Sequence, residues 1–449
     1  MTNVTLKYAT RSVPRYTSYP TAPHFSNAVG AETYEQWLKS VDPQTPISLY
    51  LHVPFCDSMC HYCGCYTKVT KQEKPLRDYT DHLVKEVALV ASKLPANQPV
   101  SHIHWGGGTP SILPHDCFLK VVDAVRSHFS FVDDIEHAIE LDPRTVTPEL
   151  ADTLRQAGIT RASLGVQDFD LQVQETVGRV QPYEQVKASV EALRAVGIEK
   201  INLDLMYGLP FQSLDTIREA VALTVSLDPS RLALFGYAHV PWMKKHQRLI
   251  PEDKLPNAEE RIALFDAATH ALEQNGYEKI GLDHFAKADD PLAEAARAGT
   301  MRRNFQGYTT DEAEILIGIG ASSIGKMPQG YIQNSPDFGG WERAVDAGTL
   351  PIARGIELDQ DDRARASIIM SLMTAYEVDV AAVAKAFDVN LDPLRACYPH
   401  LEELEANGIA ERTGDIVRVT HEGRPLVRLV AAVFDAYLQT GKARHSVAV

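Results

Sequence analysis

Short apolar segments alternate with longer amphipathic stretches between residues 47 and 285, and this alternation limits the possible folds more than any other feature. The apolar segments are partly β-branched, as in "ISLYLHV" and "INLDLMY". Stretches such as "EQVKASVEALRAV" carry apolar residues three and four positions apart, which indicates amphipathic helices. Repeated strand–helix units predict right-handed crossovers and a parallel sheet, and six or more units favour a closed or partly closed barrel. The predicted strands cover residues 47–53, 101–105, 137–141, 161–166, 201–207, 231–237 and 277–285.

Three helix-to-strand junctions share one sequence pattern. Gly158, Gly197 and Gly276 each end an amphipathic stretch and precede a strand by a few residues. Glycine is the residue that most readily adopts the left-handed conformation that closes a helix. We therefore predict a left-handed glycine at each junction.

Two further regions are predicted, one before and one after a barrel at residues 36–359. Residues 1–35, with Pro14, Pro20 and Pro23, have the composition of an extended arm. Residues 360–449 predict helices and a hairpin over 409–420, as in a small winged-helix-like domain. Such a domain can read DNA, but the acidic balance favours a lid or packing role. The predicted C-terminal helices cover 361–376, 379–387, 394–408 and 422–439.

The composition indicates a soluble globular enzyme or binding protein of the cytoplasm. A formal net charge of −15 over 449 residues argues against general binding to nucleic acid or anionic membranes. The first twenty residues contain no apolar core of a signal peptide, and no long apolar run predicts a membrane span. In a reducing compartment, clustered cysteines indicate a metal site or catalysis rather than disulfides. Cys117 and Cys397 stand alone and are expected to be ordinary buried residues.

Four cysteines lie within "FCDSMCHYCGC", directly after the strand predicted at 47–53. Cys56, Cys60 and Cys63 follow the spacing C-x3-C-x2-C, and reactive loops of barrels follow the carboxyl ends of strands. Three thiolates can hold three irons of a 4Fe–4S cluster and leave the fourth iron open to a ligand. The alternative is a zinc site completed by Cys65, His52 or His61.

Polar and glycine residues follow the other predicted strands. "IHWGGGTP" places three glycines after a strand, where the absence of Cβ atoms lets the backbone approach a ligand. Glu140, Gln167 and Asp204 stand at the ends of later strands, where each alone would be a capped turn. Because strand ends meet at one rim of a barrel, together they predict one polar site.

These motifs resemble the radical S-adenosylmethionine (SAM) superfamily, for which C-x3-C-x2-C followed by a GGG-type strand end is the signature. A closer resemblance covers nearly the whole chain and is to the oxygen-independent coproporphyrinogen III oxidase family. It implies a partial (β/α)6 TIM-like barrel with an N-terminal arm and a smaller, mainly helical C-terminal domain. The blocks that carry it are "RYTSYPTA", "YLHVPFC", "CHYCGC", "HWGGGTP", "GVQDF", "DLMYGLP", "FGYAHVP", "LDHFA" and "RNFQGYTT".

The resemblance implies an anaerobic step of heme biosynthesis. Two propionates of coproporphyrinogen III become the vinyls of protoporphyrinogen IX, each with loss of CO2. A 4Fe–4S cluster reduces SAM to methionine and a 5′-deoxyadenosyl radical, which removes hydrogen from the propionate carbon next to the ring. The implied partners are the substrate, an electron donor for the cluster and an unidentified terminal electron acceptor; we expect a monomer.

The resemblance also implies site residues. Cys56, Cys60 and Cys63 would bind the cluster, and Cys65 would lie nearby without being a ligand. The family usually has Phe at Tyr62 and Ile at Met206, which leaves only local packing in doubt. The residues expected to contact the cluster-bound SAM are Tyr50, Gly107, Glu140 and Ile324. Those expected to contact a second SAM are Tyr62, Gly108, Thr109, Gln167, Arg179, Asp204 and Ala238.

The residues expected to contact the substrate are arginines. A tetracarboxylate requires fixed cations, and Arg15, Arg302 and Arg303 are candidates.

One alternative function is that of a heme-binding radical SAM relative, either a heme chaperone or a heme-degrading methyltransferase. Heme carriers usually lack a cysteine at position 65 and the "RYTSYPTA" arm, both of which this chain has. The other alternative function is a non-catalytic module that binds zinc or heme.

Overall fold

One large sheet forms the centre of the molecule, a computed structural model that describes residues 6–8 and 11–438. The sheet has twelve strands, and three smaller sheets surround it. The strands are β1 (Ile47–Val53), β2 (Phe55–Cys56), β3 (Lys68–Val69), β4 (Pro99–Gly107), β5 (Ser130–Leu141), β6 (Arg161–Gln167), β7 (Lys200–Tyr207), β8 (Arg231–Gly236), β9 (Tyr277–Ile280), β10 (His284–Lys287), β11 (Arg302–Asn304), β12 (Gly307–Thr309), β13 (Leu316–Ile319), β14 (Ile324–Met327), β15 (Gly330–Asn334), β16 (Ile352–Glu357), β17 (Glu377–Asp379), β18 (Ala410–Thr413) and β19 (Ile416–Val419).

Helices connect and cover the strands of the large sheet. Their apolar faces pack against the sheet, as in the helix after β3, where Leu83 and Val87 are fully buried. The α-helices are α1 (Ala31–Lys39), α2 (Glu73–Ala91), α3 (His115–His128), α4 (Pro148–Gln156), α5 (Leu171–Thr176), α6 (Tyr183–Ala195), α7 (Leu214–Ser226), α8 (Ala258–Gln274), α9 (Pro291–Ala298), α10 (Phe338–Asp346), α11 (Gln360–Ala375), α12 (Val380–Ala386), α13 (Asp392–Arg395), α14 (Glu402–Ala406) and α15 (Val427–Ala432).

The strand order is β16-β15-β14-β13-β1-β4-β5-β6-β7-β8-β10-β9. Neighbours from β1 to β8 in this order pair in parallel, with Leu49 opposite Ile103 and Ala162 opposite Ile201. The six strands from β1 to β8 in this order, with their helices, confirm the expected partial (β/α)6 barrel. Parallel strands direct their carboxyl ends to one rim, so the loops after β1, β4, β5, β6, β7 and β8 lie together.

The three junction glycines adopt the predicted conformation. The backbone φ angles of Gly158, Gly197 and Gly276 are +79°, +89° and +82°. These residues end the turns after α4, α6 and α8. Glycine at each place therefore allows a short return from helix to strand without the strain that a Cβ would cause.

Two predictions about the edges of the sheet were wrong or incomplete. Residues 277–285 were predicted as one strand, but they form the antiparallel pair β9 and β10, because the chain turns at Gly281 with φ of +59°. β10 also pairs antiparallel with β8, which ends the parallel sheet. Strands β13 to β16 were not predicted, and β13 extends the sheet in parallel beside β1. Two of these strands have only four residues, too few for alternation to be recognised.

The C-terminal region contains a second hydrophobic cluster and a three-stranded sheet. The predicted hairpin is present as β18 and β19, and β17, which was not predicted, pairs with β19. The helix predicted over 394–408 is broken into α13, a 3-10 turn and α14. The helix predicted over 422–439 is short, since α15 covers only Val427–Ala432 and Gln439 lies outside the described residues. Pro399 and Pro425 interrupt the two patterns, because proline lacks the amide hydrogen that a helix interior requires.

The N-terminal segment packs onto this C-terminal cluster. Tyr8, Val13, Tyr16 and Tyr19 are buried in it together with residues of α11 and α15. The hydroxyl of Tyr16 donates to Asp435 Oδ2 at 3.0 Å. Helix α1 begins at Ala31, inside the segment expected to be extended. Residues 1–5, 9–10 and 439–449 lie outside the described residues. Over the part that is described, no helix is both long enough and apolar enough to cross a membrane.

Candidate active site

The cysteine motif forms a closed loop at the carboxyl end of β1. Strands β2 and β3 pair in parallel, with Cys56 opposite Val69, and this pairing joins the two ends of the loop. Inside the loop, the amide of Cys63 donates to the carbonyl oxygen of Cys60 at 3.1 Å, and the amide of His61 donates to Val177 O at 2.8 Å. The loop is therefore held by backbone hydrogen bonds to itself and to the end of α5.

A second segment, residues 244–247, fixes the loop from the opposite side. The side chain of Gln247 donates to Tyr62 O at 2.8 Å, and that of Lys244 donates to Cys65 O at 2.8 Å. His246 Nε2 lies 2.7 Å from Cys63 O. These supporting residues were not predicted, because they lie about 180 positions from the cysteines and form no recognisable motif.

The thiols face a cavity of about 610 Å³, called here the thiol cavity. Its wall includes residues from the strand ends of the barrel, from the GGG turn at the end of β4 to the loop after β8. The residues predicted at the strand ends therefore share one cavity. Of the residues predicted as site residues, those that line it are Cys56, Cys60, Cys63, Tyr62, Gly107, Gly108, Thr109, Glu140, Gln167, Arg179, Asp204 and Ala238.

Two residues predicted to contact SAM do not line the thiol cavity. Tyr50 lies on β1, and its hydroxyl is 2.9 Å from His52 Nδ1. Ile324 lies on β14 and packs against the cluster of Phe25, Tyr331 and Leu358.

Positive charge surrounds Cys60. Arg179 Nη1 lies 3.4 Å and Arg144 Nη2 3.8 Å from Cys60 Sγ. Both guanidinium groups also contact Asp142 Oδ2, at 3.2 Å and 2.6 Å. Burial alone would raise the pKa of Asp142, but the hydrogen bond from Arg144 and the charge of Arg179 lower it. The two guanidinium groups therefore place positive charge next to one of the three thiols of the motif.

Two glycines of the "GGG" turn are required by close contacts. At Gly108 a Cβ would overlap the backbone of Phe55, just before the first cysteine. At Gly107 a Cβ would overlap the ring of His52, and its φ of +111° is one that other residues rarely adopt. The glycines therefore let the turn after β4 pack directly against the base of the cysteine loop.

Two carboxylates stand in the cavity wall, on the strands β5 and β7 that flank β6. Glu140 Oε1 lies 3.2 Å from His104 Nε2, and its Oε2 accepts from the amide of Gly107 at 3.3 Å. Asp204 accepts a hydrogen bond from Ser163 Oγ at 3.3 Å. Burial and the charge of Glu140 raise the pKa of Asp204 to about 7. This wall is suited to bind ammonium, sulfonium or hydroxyl groups.

Gln167 and Arg179 have unusual local structure. Gln167 has φ of +67°, a conformation that is costly for residues other than glycine and common at binding sites. Arg179 is only 7% exposed, and its Nη2 donates to Gly165 O at 2.8 Å. The two side chains meet over Gly165, where a Cβ would lie 2.8 Å from Gln167 Nε2. Both positions are therefore built into the cavity wall rather than placed on a free loop.

The donor set fits an iron–sulfur cluster better than a zinc ion. Both ring nitrogens of His52 are occupied, Nδ1 by Tyr50 and Nε2 by Ser322 Oγ at 3.3 Å. His61 Nδ1 lies 2.9 Å from Thr176 O. Within residues 6–8 and 11–438, no three His, Cys, Asp or Glu side chains are arranged to hold a single metal ion. The three thiols instead border an open cavity, as a cluster with one exchangeable iron requires.

Cys65 lies beside the triad. It is the exposed member of the four cysteines, and its amide lies 3.4 Å from Cys63 Sγ. Its side chain also lines the thiol cavity. Cys65 therefore lies beside the three thiols, and its role stays a prediction.

The arginines considered for substrate binding separate into two groups. Arg15 and Arg303 line the thiol cavity. Arg302 points the other way, because side chains alternate along β11, and it pairs with Glu314 at 3.0 Å on the surface. Arg261 and Arg428, which sequence reasoning missed, lie beside Arg15 and Arg303 in an adjoining cavity.

Comparisons with known proteins agree with this geometry. The model of the radical SAM superfamily matches residues 50–224, and that of the HemN C-terminal domain matches residues 358–426. An oxygen-independent coproporphyrinogen III oxidase of Bradyrhizobium diazoefficiens is 44% identical over 447 residues, covering 100% of this chain and 99% of the relative. One of Paracoccus denitrificans is 41% identical over 444 residues, covering 97% of this chain and 96% of the relative.

A solved structure shares the whole architecture. Coproporphyrinogen III oxidase (HemN) from Escherichia coli, described as a radical SAM enzyme, superposes with a TM-score of 0.90 at 36% identity. The match covers 95% of this chain and 100% of that one. Identity of this extent, over both the barrel and the C-terminal region, shows that this chain belongs to the oxygen-independent coproporphyrinogen III oxidase family of the radical SAM superfamily.

Proposed function

We propose that this protein converts two propionates of coproporphyrinogen III to the vinyls of protoporphyrinogen IX without oxygen. Its cofactors are a 4Fe–4S cluster and SAM, in keeping with its superfamily. When bound, the cluster supplies the electron that cleaves SAM and so provides the radical for hydrogen abstraction. The protein binds and orients both molecules and keeps water from the reacting groups.

One observation carries the proposal. The three thiols share a single cavity with Glu140, Asp204 and the GGG turn, and two arginines enter the same cavity from distant parts of the chain. A cofactor held at the thiols and an anionic substrate held by arginines would therefore meet in one cavity. This is the arrangement that hydrogen abstraction from a propionate requires.

Residue roles within the proposal follow the positions of the side chains. Cys56, Cys60 and Cys63 would hold the cluster, and Glu140 would accept from the amino group of the first SAM. Tyr50, Gly107 and Ile324 remain proposed contacts of that molecule, although Tyr50 and Ile324 must act from beside the cavity. A second SAM would lie against Tyr62, Gly108, Thr109, Gln167, Arg179, Asp204 and Ala238.

The wider setting is also a proposal. We infer a monomer of the cytoplasm that receives electrons from a separate donor and passes the electrons of the oxidation to an acceptor. We keep the division into an arm at 1–35, a barrel at 36–359 and a C-terminal domain at 360–449. The burial of Tyr8, Tyr16 and Tyr19 indicates that the arm packs onto the C-terminal domain.

Anaerobic turnover tests the function. Reconstituted protein is incubated with coproporphyrinogen III, SAM and dithionite, and the products are separated after oxidation to porphyrins. The proposal predicts a divinyl product, with about two SAM cleaved for each substrate if none is wasted. Methionine release with unchanged substrate would contradict it, and heme bound without change would favour a heme carrier.

A further inference from the structure

A second cavity, called here the arginine chamber, adjoins the thiol cavity. It measures about 370 Å³, and its walls include four arginines from four separate parts of the chain. Arg15 comes from the N-terminal segment, Arg261 from α8, Arg303 from β11 and Arg428 from α15. The two cavities share wall residues, among them Arg15, Phe235, Tyr237, Ala238, Asp283 and Arg303.

Arg303 is buried with unused hydrogen-bond donors. The residue is 6% exposed, and its Nε and Nη1 have no hydrogen-bond partner. Its guanidinium lies 4.5 Å from the ring centre of Tyr308, and Nη2 reaches Arg15 O at 3.5 Å. Buried donors without partners cost free energy, so a ligand that accepts from them would be bound favourably.

Arg261 occupies a space that two glycines leave open. A Cβ at Gly208 would overlap its guanidinium, and one at Gly236 would lie 3.1 Å from its Nη2. The guanidinium lies 5.4 Å from the ring centre of Tyr207, and the buried Nε has no partner. The chain therefore accommodates this arginine specifically, rather than leaving it in solvent.

The chamber carries more positive than negative charge. Asp283 is the acidic residue of its wall. Although burial opposes ionisation, the hydrogen bond with His284 and the charge of Arg303 lower the pKa of Asp283. Along residues 6–8 and 11–438, no carboxylate lies within 4.0 Å of a nitrogen of Arg261 or Arg303. Burial and the charge of Arg15 lower the pKa of Arg428 to about 10, consistent with crowded cations.

We propose that the arginine chamber binds propionate carboxylates of the substrate that are not reacting, while another propionate lies in the thiol cavity. This inference rests on the proposed function for the identity of the tetracarboxylate. Guanidinium groups bind carboxylates through two parallel hydrogen bonds, which fix orientation as well as charge. The shared wall lets one molecule reach both cavities, so the chamber determines which propionate faces the thiols.

The test compares two neighbouring arginines on β11. Arg303→Gln removes a chamber donor, and Arg302→Gln removes an exposed arginine that pairs with Glu314. Equilibrium dialysis without oxygen measures the Kd of coproporphyrinogen III for the reconstituted holoenzyme. We expect Arg303→Gln and Arg261→Gln each to raise Kd about 10- to 100-fold, the effect of one lost charged hydrogen bond. Arg302→Gln changes it less than twofold.

Further readouts separate binding from folding. Arg303→Lys keeps the charge without the planar fork and is expected to restore part of the affinity. Iron and sulfide content and the melting temperature report whether each variant has folded. An unchanged Kd in well-folded Arg303→Gln and Arg261→Gln overturns the chamber, even if the enzyme forms the vinyl product. Arg303-dependent binding without vinyl product supports the chamber and contradicts the proposed activity instead.

Discussion

Arg179 Nη1 lies 3.4 Å from the sulfur of Cys60, and this contact joins the cysteine loop to the opposite wall of the thiol cavity. Although burial opposes the charge, Tyr62 and Asp142 raise the pKa of Arg179, so it remains a cation. A cation that donates to a ligand sulfur stabilises the more negative, reduced state of a cluster. We therefore propose that Arg179, beside the proposed cluster ligand Cys60, influences both the reduction potential of the cluster and the binding of SAM.

Replacement of Arg179 is expected to lower the reduction potential of the cluster. Arg179→Gln should shift it by on the order of 50 mV in the negative direction, equal to about 1 kcal/mol for one electron. Potentiometric titration followed by electron paramagnetic resonance, without SAM, measures the shift. Arg155→Gln is the control, since Arg155 donates to Val196 O on the exterior. A potential equal to that of the control would show that Arg179 does not affect the cluster.

The glycines of the cysteine loop and its neighbouring turn provide a matched pair. Gly108→Ala should lower iron incorporation severalfold, because the added Cβ would overlap the backbone of Phe55 and displace the loop. Gly64→Ala should have little effect, since nothing lies within 4 Å of the new Cβ. Iron and labile sulfide per chain after reconstitution are the measurement. Equal loading of the two variants would mean that the contact with Phe55 does not position the loop.

Asp204 should make the stability of the cluster-free protein depend on pH. Its pKa is about 7 in the folded chain, because burial and Glu140 oppose the charge, against 3.8 ordinarily. Between about pH 4 and 7 the unfolded chain therefore loses this proton first, and folding is progressively disfavoured as the pH rises.

Asp204→Asn removes this dependence. The difference in the free energy of unfolding between the variant and the unsubstituted protein should rise from pH 4 to 7 and stay constant above pH 7. The full pKa difference is equivalent to about 4 kcal/mol, and solvent in the cavity should reduce the gain to about 2 kcal/mol. Urea unfolding at several pH values measures it. Parallel stability curves for the two proteins would show that folding does not raise the pKa of Asp204.

The packing of the arm on the C-terminal region should stabilise the protein. Tyr16→Phe removes the hydrogen bond to the buried carboxylate of Asp435 and should destabilise the protein by about 2 kcal/mol. Tyr183→Phe removes an exposed hydrogen bond to Ser226 and should cost less than about 0.5 kcal/mol. The urea concentrations at the midpoint of unfolding are compared for the two variants. Equal midpoints would mean that the arm adds no stability through Tyr16.

Much of the barrel could be predicted because its strands are short segments rich in apolar residues, as in β7 with the buried Ile201, Leu203 and Leu205, and amphipathic helices separate them. Strand β1 has the predicted bounds, and the other inner strands differ from prediction mostly at their ends. Strands β13 and β14 could not be predicted, since each has four residues and their pairing with β1 and β15 is set by tertiary contacts. The turn at Gly281 was missed because nearby residues on both sides are apolar.

The site was predictable where a local motif exists. Cys56, Cys60 and Cys63 share one loop, so their spacing alone marks them as candidate ligands, and their role as cluster ligands stays a prediction. Arg261 and Arg428 have no motif, and only the fold brings them to Arg303. The structure alone distinguishes Arg303 from Arg302, since one side chain is buried and the other exposed.

The central claim is that three cysteines hold a cluster whose fourth iron binds SAM. Mössbauer spectra of protein reconstituted with ⁵⁷Fe, recorded before and after SAM is added, test it most directly. The account predicts four irons per chain and a change confined to one of them, which is retained in Cys65→Ala. A zinc ion without labile sulfide, or a cluster whose four irons are all unaffected by SAM, would contradict it.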